Sequence, residues 1–451
     1  MAASGGGHAC RTHKNHYPKI TPAPRFRLLL LEHPYSSILN RILFLASPYS
    51  LTLARVLLCS SPFLPLPRHW VIFSAAMDLS IILTYRCNSR CSMCHVWQHP
   101  TLPAEEISPT VLAKLPGGFR RITLTGGEPS LRADLDDLFG VLRPKARRLE
   151  ILTNGLQGEK LEAVARRHPD VTFRISIDGI GARNDSIRGE RSGFERKRDT
   201  LRRLAAVGAP VGFATVLQDE NCDQIVDLFR LCASCRGDLS AAALHNGFQF
   251  FKADNEPTNR VRIARAVQPL ITEMLRSRRP GDWFRACLNL GLMRKILGQP
   301  RRVPCRAGRG FAVIDPWGRV YACPVRPDLE MGDLAAQSWR DIMKSPRAAE
   351  ARTRVARCTH NCWWPGPAGD DLRSSWTFSL PRWETLHWML ANRLRTLLGR
   401  PVDFDRFVDY RDVAQPPITP KRESWLGRPF RPTHLRRTEQ PYGMYNNVMN
   451  K

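Results

Sequence analysis

From residue 77 to about residue 252, short apolar runs alternate with amphipathic stretches of helical length. Strands separated by helices in this way are typical of repeated βα units and of a parallel sheet. Six such units predict most of a (β/α) barrel, short of the eight units of a complete one. The predicted strands cover residues 79–85, 121–125, 149–153, 171–177, 211–217 and 247–252, and the predicted helices cover residues 109–115, 135–142, 159–167, 194–207 and 223–231.

The remaining sequence predicts further segments on both sides of this α/β core. A helix over 260–278 leads to an expected domain boundary near 280, so the core domain is 77–280. A separate small, cysteine-rich module is expected over 300–368. The segment 369–451 then reads as a helix over 383–398, followed by a Pro- and Arg-rich end from about 415 that we expect to be poorly ordered.

Residues 1–76 differ from the rest because they contain one acidic residue, Glu32, against eight Lys and Arg. Transit peptides are basic and acid-poor in this way. The interpretation we favour is that the reading frame starts too early and that the folded domain begins at Met77. No uninterrupted apolar run of about 18 residues occurs, so no membrane span is predicted.

The chain is strongly basic, with 68 Lys and Arg against 41 Asp and Glu and a net charge of +27. Such a charge attracts anionic partners, although a coding bias towards arginine would produce it too. The basic and aromatic pattern of a nucleic-acid reader is missing. We therefore predict no nucleic-acid partner and a weak preference for an anionic substrate.

Three cysteines follow the first predicted strand at Cys87, Cys91 and Cys94. Thiolates with this spacing in a loop can converge on one cubane iron–sulfur cluster, and three ligands leave one iron open. A zinc site would need a fourth ligand, and His95 and His99 are near enough to keep that alternative open.

The second predicted strand ends in Gly126, Gly127, Glu128 and Pro129. Adjacent glycines let the backbone approach a ligand closely, and Glu128 places a carboxylate beside them. In parallel barrels the chemistry lies at the carboxyl ends of the strands, where both motifs fall. An ordinary turn is the alternative for this motif on its own.

Together the two motifs resemble the radical S-adenosylmethionine (SAM) superfamily over residues 78–252. The resemblance implies a partial (β/α)6 TIM-like barrel. It also implies a [4Fe-4S] cluster on Cys87, Cys91 and Cys94, the catalytic cysteines, whose open iron binds SAM. A reduced cluster of this kind cleaves SAM to methionine and a 5′-deoxyadenosyl radical, which abstracts hydrogen from a substrate.

The resemblance also implies a set of SAM contacts. Gly126, Gly127 and Glu128 match the segment that binds the methionine group, and Met93 stands where the family usually has an aromatic residue near the adenine. Four polar residues at later strand ends match further contacts, although each could instead be a turn or capping residue. These four are Asn154, Ser176, Asp178 and Arg188.

A second cysteine set lies past the barrel, at Cys305, Cys323, Cys358 and Cys362. With a hairpin-like segment over 314–322, it resembles the SPASM module in its shortened Twitch form. The resemblance implies one auxiliary [4Fe-4S] cluster, while four thiolates would satisfy zinc equally well. Seven cluster-bound cysteines would need a reducing compartment, which points to the cytoplasm.

The sequence therefore predicts a radical SAM oxidoreductase that modifies a peptide, a protein side chain or a small molecule. A flavodoxin or ferredoxin would be its reductant. Two alternatives of other classes stay open: an electron carrier with two clusters, which would not need the glycine-rich strand end, and a zinc-binding nucleic-acid module, which would contain no sulfide.

Overall fold

The computed structural model describes residues 77–252, 254–375 and 380–410. All of them belong to one compact unit. The predictions made for residues 1–76 and for the chain from 415 onward lie outside the described residues.

Within these described residues, nine strands form one sheet in the order β6-β5-β4-β3-β2-β1-β7-β8-β9. The pairs from β6 through β1 to β7 are parallel, and the last two pairs are antiparallel. The strands are β1 Asp78–Ile82, β2 Phe119–Thr125, β3 Ala146–Thr153, β4 Thr172–Ser176, β5 Val211–Leu217, β6 Asp238–Ala243, β7 Phe311–Ile314, β8 Arg319–Tyr321 and β9 Glu330–Asp333.

The helices between successive strands carry the chain back, so the sheet stays parallel from β1 to β6. The helices of this part are α1 Pro109–Ala113, α2 Leu135–Leu142, α3 Gly158–Arg167, α4 Ala182–Arg188, α5 Gly193–Ala206 and α6 Ile225–Ser234. The later helices are α7 Arg260–Arg276, α8 Pro280–Ile296, α9 Trp339–Lys344, α10 Pro346–Ala356, α11 Pro365–Ser375 and α12 Leu380–Leu397.

The strand β2 shows why the sheet has an inner and an outer face. Ile122 and Leu124 are fully buried in the main core cluster, whereas Arg121, Thr123 and Thr125 line a cavity. This alternation follows from the period of two in a strand. Side chains from all six strands β1 to β6 line that same cavity, so the sheet curls around it. The predicted partial (β/α)6 barrel is confirmed.

The sixth predicted strand was wrong, because β6 is Asp238–Ala243 and not residues 247–252. The aromatic residues at 248–251 have high β propensity, yet Phe248–Phe250 form a single 3₁₀ turn beside a Gly247–Lys252 bridge. The alanine-rich β6 forms instead because it pairs with β5 from Gly212↔Asp238 to Leu217↔Ala243. Tertiary pairing outweighs local propensity here.

The strands of the cysteine-rich part belong to the same sheet as the strands of the barrel. The strand β7 pairs in parallel with β1, from Asp78↔Phe311 to Ile81↔Ile314, and β8 and β9 extend the same sheet. The predicted hairpin is present, because β7 and β8 are antiparallel and joined through Gly318, which has a φ of 92°. The residue boundaries given above for the domains stay predictions.

The helix α8 was not predicted, and it packs against α7 and β6. Gly291 of α8 lies against the Trp363 indole, and the Trp363 Nε1 donates to the Leu288 carbonyl at 2.8 Å. Among the described residues no helix is long and apolar enough to cross a membrane.

Changing Gly291 to alanine tests this helix contact. The added Cβ would lie 2.2 Å from the Trp363 ring, so we expect Gly291→Ala to lower the free energy of unfolding by about 1–3 kcal/mol. In α2, Gly140 has no atom within 4 Å of an added Cβ, and Gly140→Ala should raise that free energy by about 0.5–1 kcal/mol. Urea unfolding followed by circular dichroism measures both. An equal change in the free energy of unfolding for the two variants would show that Gly291 does not pack tightly against Trp363.

Candidate active site

The barrel encloses a cavity of about 540 Å³. The three cysteines of the first motif lie at its carboxyl-terminal end, together with the glycines that follow β2. Two of the predicted contacts, Glu128 and Asp178, do not line it. The predicted site residues that line it are Cys87, Cys91, Met93, Cys94, Gly126, Gly127, Asn154, Ser176 and Arg188.

The cysteine loop is held by the residue that follows β3. The Asn154 amide nitrogen donates to Asn88 Oδ1 at 2.6 Å and to Ser89 Oγ at 2.9 Å. Its amide oxygen accepts from the Leu156 N–H at 3.0 Å. Asn154 was predicted as a cofactor contact, and its polar atoms are engaged in holding the loop.

The helix α4 holds the same loop from the other side. The N–H groups of Arg90 and Ser92 donate to the carbonyls of Arg188 and Ile187 at 3.0 and 2.9 Å. The loop therefore bridges β3 and the carboxyl end of α4, and this bridging limits where the three thiols can lie.

A buried ion pair below the loop was missed by the sequence analysis. The Glu190 carboxylate accepts from the Ser89 hydroxyl at 2.6 Å and from the Lys197 ammonium at 2.6 Å. The Lys197 side chain is fully buried, and burial lowers its pKa to about 8. Nothing in the local sequence relates Glu190 to Ser89, since the two lie 101 residues apart.

The glycines after β2 are required by close backbone packing. A Cβ on Gly126 would lie 2.3 Å from the Thr84 carbonyl oxygen, and one on Gly127 would lie 2.2 Å from that of Arg86. Gly126 also has a φ of 144°. Only glycine fits at these two positions, because the end of β2 packs directly against the backbone that leads into the cysteine loop. The backbone of both glycines lines the cavity.

Glu128 points away from the cavity and ties two strand ends together. Its carboxylate accepts from the Ser130 N–H at 2.9 Å, the Thr153 hydroxyl at 2.7 Å and the Asn154 N–H at 2.6 Å. It is fully buried. The structure therefore places this carboxylate behind the glycines.

The remaining predicted contacts form a group at the ends of β4 and α4. Asp178 accepts from the Val216 N–H at 2.7 Å and pairs with Arg188 at 2.8 Å. Arg188 Nη1 lies 3.8 Å from Cys91 Sγ. Ser176 lines the cavity nearby, so a fixed cation lies beside one of the three thiols.

The three thiols suit a metal cluster. Burial raises the pKa of Cys87 and of Cys94 to about 12, and it raises that of Cys91. The thiolate is the form that binds metal, and a bound cation would stabilise it. Three thiols beside a glycine backbone that no side chain can cover fit an iron–sulfur cluster with one open position.

The opposite end of the cavity carries a chain of ion pairs that the sequence did not predict. Arg121 pairs with Asp78 at 2.9 Å, and Arg174 pairs with Asp238 at 2.7 Å and with Glu150 at 3.4 Å. Burial alone would raise the pKa of Glu150, but Arg174 and Arg121 outweigh it and hold that pKa below its usual value. The cavity therefore has a thiol end and a charged end.

One wall of the cavity is aromatic and was also missed. The Phe250 ring stacks on the Trp364 ring with centroids 5.7 Å apart, and His245 lies 4.1 Å from Trp364. His245 Nδ1 donates to the Ala243 carbonyl at 2.6 Å, and burial lowers the pKa of His245 to about 3. The imidazole is neutral and keeps Nε2 as an acceptor.

The second cysteine set lies behind this aromatic wall. Each of its four thiols interacts electrostatically with at least one of the others. Burial raises the pKa of Cys305, Cys323 and Cys362. The exception is Cys358, whose pKa is lowered to about 7 by a hydrogen bond with His360. The adjacent residues Pro324, Trp363 and Trp364 line the cavity, so this set adjoins the cavity wall.

Within the described ranges, no three Cys, His, Asp or Glu side chains lie close enough to share one metal ion. A four-iron cluster places iron and sulfide between its thiolates, so it takes a wider set of ligands than a single ion.

A parallel barrel with cysteines and glycines at its carboxyl end defines a cofactor-binding protein of the radical SAM type. The family model of the radical SAM superfamily matches residues 81–232, and that of the SPASM iron-sulfur cluster-binding domain matches residues 305–363.

Relatives agree with these matches. The mycofactocin maturase MftC of Mycobacterium tuberculosis (strain CDC 1551 / Oshkosh) is 30% identical over 275 residues, which cover 58% of this chain and 68% of MftC. The sporulation killing factor maturation protein SkfB of Bacillus subtilis is 29% identical over 202 residues, which cover 42% of this chain and 49% of SkfB. The chain thus spans about half the length of SkfB.

A solved structure shows the same fold. The crystal structure of Streptococcus suis SuiB superposes with a TM-score of 0.50 at 16% identity, covering 68% of this chain and 76% of SuiB.

This chain belongs to the radical SAM superfamily and carries a SPASM iron–sulfur domain. The superfamily's cofactors are a [4Fe-4S] cluster and SAM, and the SPASM domain adds auxiliary iron–sulfur clusters. The predicted family and cofactors are confirmed.

The buried Lys197 tests how the cysteine loop is supported. Lys197→Met would leave Glu190 charged and unpaired in the interior, so we expect the free energy of unfolding to fall by about 3–5 kcal/mol. The control is Arg198→Met, because Arg198 on the same helix has an exposed pair with Glu195 that is worth about 1 kcal/mol or less. Urea unfolding compares the two. If Lys197→Met lowered the free energy of unfolding no more than the control does, the ion pair with Lys197 would not be needed to stabilise the Glu190 carboxylate.

Proposed function

We propose that this chain is a radical SAM enzyme that cleaves SAM reductively and abstracts a hydrogen atom from a substrate held in the barrel cavity. The observation that carries the proposal is the convergence of three thiols and two adjacent glycines, which no other residue could replace, on one end of that cavity. An electron carrier would need neither the glycines nor a cavity beside its cluster.

In this proposal Cys87, Cys91 and Cys94 hold the [4Fe-4S] cluster. When bound, the reduced cluster supplies the electron that cleaves SAM into methionine and a 5′-deoxyadenosyl radical. The backbone of Gly126 and Gly127, which lines the cavity, would bind the methionine group of SAM.

The other predicted contacts fall into two groups: residues that lie at the cavity and residues that hold the surrounding elements in place. Met93 and Ser176 line it directly, and Arg188 places a positive charge beside Cys91. Glu128, Asn154 and Asp178 hold these elements through hydrogen bonds with the ends of neighbouring strands. Their role in this proposal is to position the cofactor-binding segments.

The cavity walls keep water from a reactive radical. The aromatic wall of His245, Phe250 and Trp364, together with Trp363, covers the side next to the second cysteine set. Excluding water from a closed site prevents side reactions of reactive intermediates.

We further propose that Cys305, Cys323, Cys358 and Cys362 hold one auxiliary [4Fe-4S] cluster. Residues next to these cysteines line the substrate cavity, so a cluster there would adjoin the substrate. An electron acceptor at that place suits an oxidoreductase. A flavodoxin or ferredoxin would supply the reducing electron, and clusters of this kind are compatible with a reducing compartment such as the cytoplasm.

We propose a peptide as the substrate. The relative MftC is a mycofactocin maturase and the relative SkfB is a sporulation killing factor maturation protein. A small molecule is the alternative substrate.

The proposal is tested by anaerobic reconstitution of the chain with iron and sulfide, addition of SAM and a strong reductant, and quantification of 5′-deoxyadenosine. We expect product from the wild-type chain and none when Cys87, Cys91 and Cys94 are all changed to alanine, because the cluster loses its ligands. The control is Cys235→Ala, since Cys235 lies away from both sets at the end of α6. Product from the triple variant would disprove the assignment.

A second variant tests the auxiliary site. Changing Cys323 and Cys362 to alanine should remove about half of the iron and sulfide and leave formation of 5′-deoxyadenosine intact. Iron, sulfide and zinc are measured by elemental and colorimetric analysis. Zinc in the reconstituted wild-type chain, or an unchanged iron content in the double variant, would argue against an auxiliary cluster.

A further inference from the structure

Two arginines lie directly opposite each other at the charged end of the cavity. Arg121 of β2 and Arg148 of β3 are register partners in the parallel pair, and both line the cavity. We call them the arginine pair. An anion bound between two neighbouring guanidinium groups would accept charge-assisted hydrogen bonds from both.

The carboxylates around the arginine pair are already shared. Each of the three acidic side chains at this end lies within ion-pair distance of two arginines. The pairs are Asp78 with Arg120 and Arg121, Glu150 with Arg121 and Arg174, and Asp238 with Arg174 and Arg285. Four arginines thus share three carboxylates, and Arg148 is a fifth positive charge at this end.

The arginine pair has donors to spare. In the described part of the chain, Arg148 makes no ion pair and no hydrogen bond with a protein group, and its side chain is exposed. The Nε of Arg121 is buried and has no hydrogen-bond acceptor. A buried donor without an acceptor costs free energy that a bound acceptor would recover.

The amino end of α11 adds to the same positive potential. A Cβ on Gly366 would lie 3.8 Å from Arg121 Nη2, and residues 365–367 line the cavity. The first turn of a helix carries a partial positive charge, and α11 has no acidic residue in that turn. The local excess of positive charge is therefore uncompensated on this side too.

We propose that Arg121 and Arg148 bind a carboxylate of the substrate peptide, and this inference rests on the function proposed above. The two guanidinium groups offer several N–H donors in planar arrays, which suit the two oxygens of a carboxylate. The carboxylate belongs either to an Asp or Glu side chain or to the carboxyl terminus of the peptide.

The distance to the thiol end limits where that carboxylate lies along the peptide. Arg121 and Gly126 are five residues apart along the strand direction, which is about 16 Å at 3.3 Å per residue. An extended peptide covers a similar length per residue. The reacting residue therefore lies within about five residues of the carboxylate.

The test measures binding without turnover. The reconstituted full chain, with SAM and no reductant, is titrated calorimetrically with three N-acetylated alanine tetrapeptides. One has a free terminal carboxylate, one is amidated, and one is amidated with glutamate at its third position. We expect both carboxylate peptides to bind about tenfold more tightly than the neutral amide, as charged hydrogen bonds are worth that much.

Variants assign this preference to the arginine pair. Arg148→Gln should abolish the preference for the carboxylate peptides, and Arg148→Lys should keep part of this preference. The matched control is Arg147→Gln, because Arg147 is the exposed neighbour on β3 that does not line the cavity, and it should keep all of it. The carboxylate peptide that binds more tightly identifies the source of the carboxylate.

Equal binding of the amidated peptide, no binding of any peptide, or an unchanged preference in Arg148→Gln would overturn the inference. Formation of 5′-deoxyadenosine is measured on the same preparations after reduction. A chain that cleaves SAM without preferring a carboxylate disproves only the arginine pair, whereas a chain that cleaves no SAM disproves the proposed function.

Discussion

The pairing of β1 with β2 on one side and with β7 on the other determines where everything else in this molecule lies. Because both pairs are parallel, the cysteine loop leaves β1 at the same edge where β2 ends in its two glycines. The close contact between those glycines and residues 84–86 is possible only without side chains. The pairing of β1 with β7 joins the second cysteine set to the barrel, and residues next to that set line the same cavity.

The parts of the fold that could be predicted are those with local patterns. The alternation of apolar runs and helices located β1 to β5, since each run is buried on its outer face whatever its neighbours are. The spacing of Cys87, Cys91 and Cys94, and the paired glycines, identified the family, because their chemistry depends on residues close in sequence. The sequence analysis missed the strand β6, because its alanines have no preference for β structure and because its position depends on pairing with β5.

The parts of the site that could not be predicted depend on contacts between distant residues. Glu190 accepts a hydrogen bond from Ser89, which lies 101 residues away in the sequence. Asn154, which lines the cavity, also holds the cysteine loop through Asn88. The arginine pair becomes visible only through the register of β2 and β3. In the sequence these arginines were part of a scattered positive charge, and the curled sheet places them inside the cavity.

We propose that the thiols of Cys87, Cys91 and Cys94 hold a cluster that binds SAM in the barrel cavity. The most direct test is electron paramagnetic resonance of the reduced chain, with and without SAM. We expect SAM to change the cluster signal of the wild-type chain. The chain with all three cysteines changed to alanine should keep only a signal that SAM does not affect. A wild-type signal that is identical with and without SAM would show that this cluster does not bind SAM.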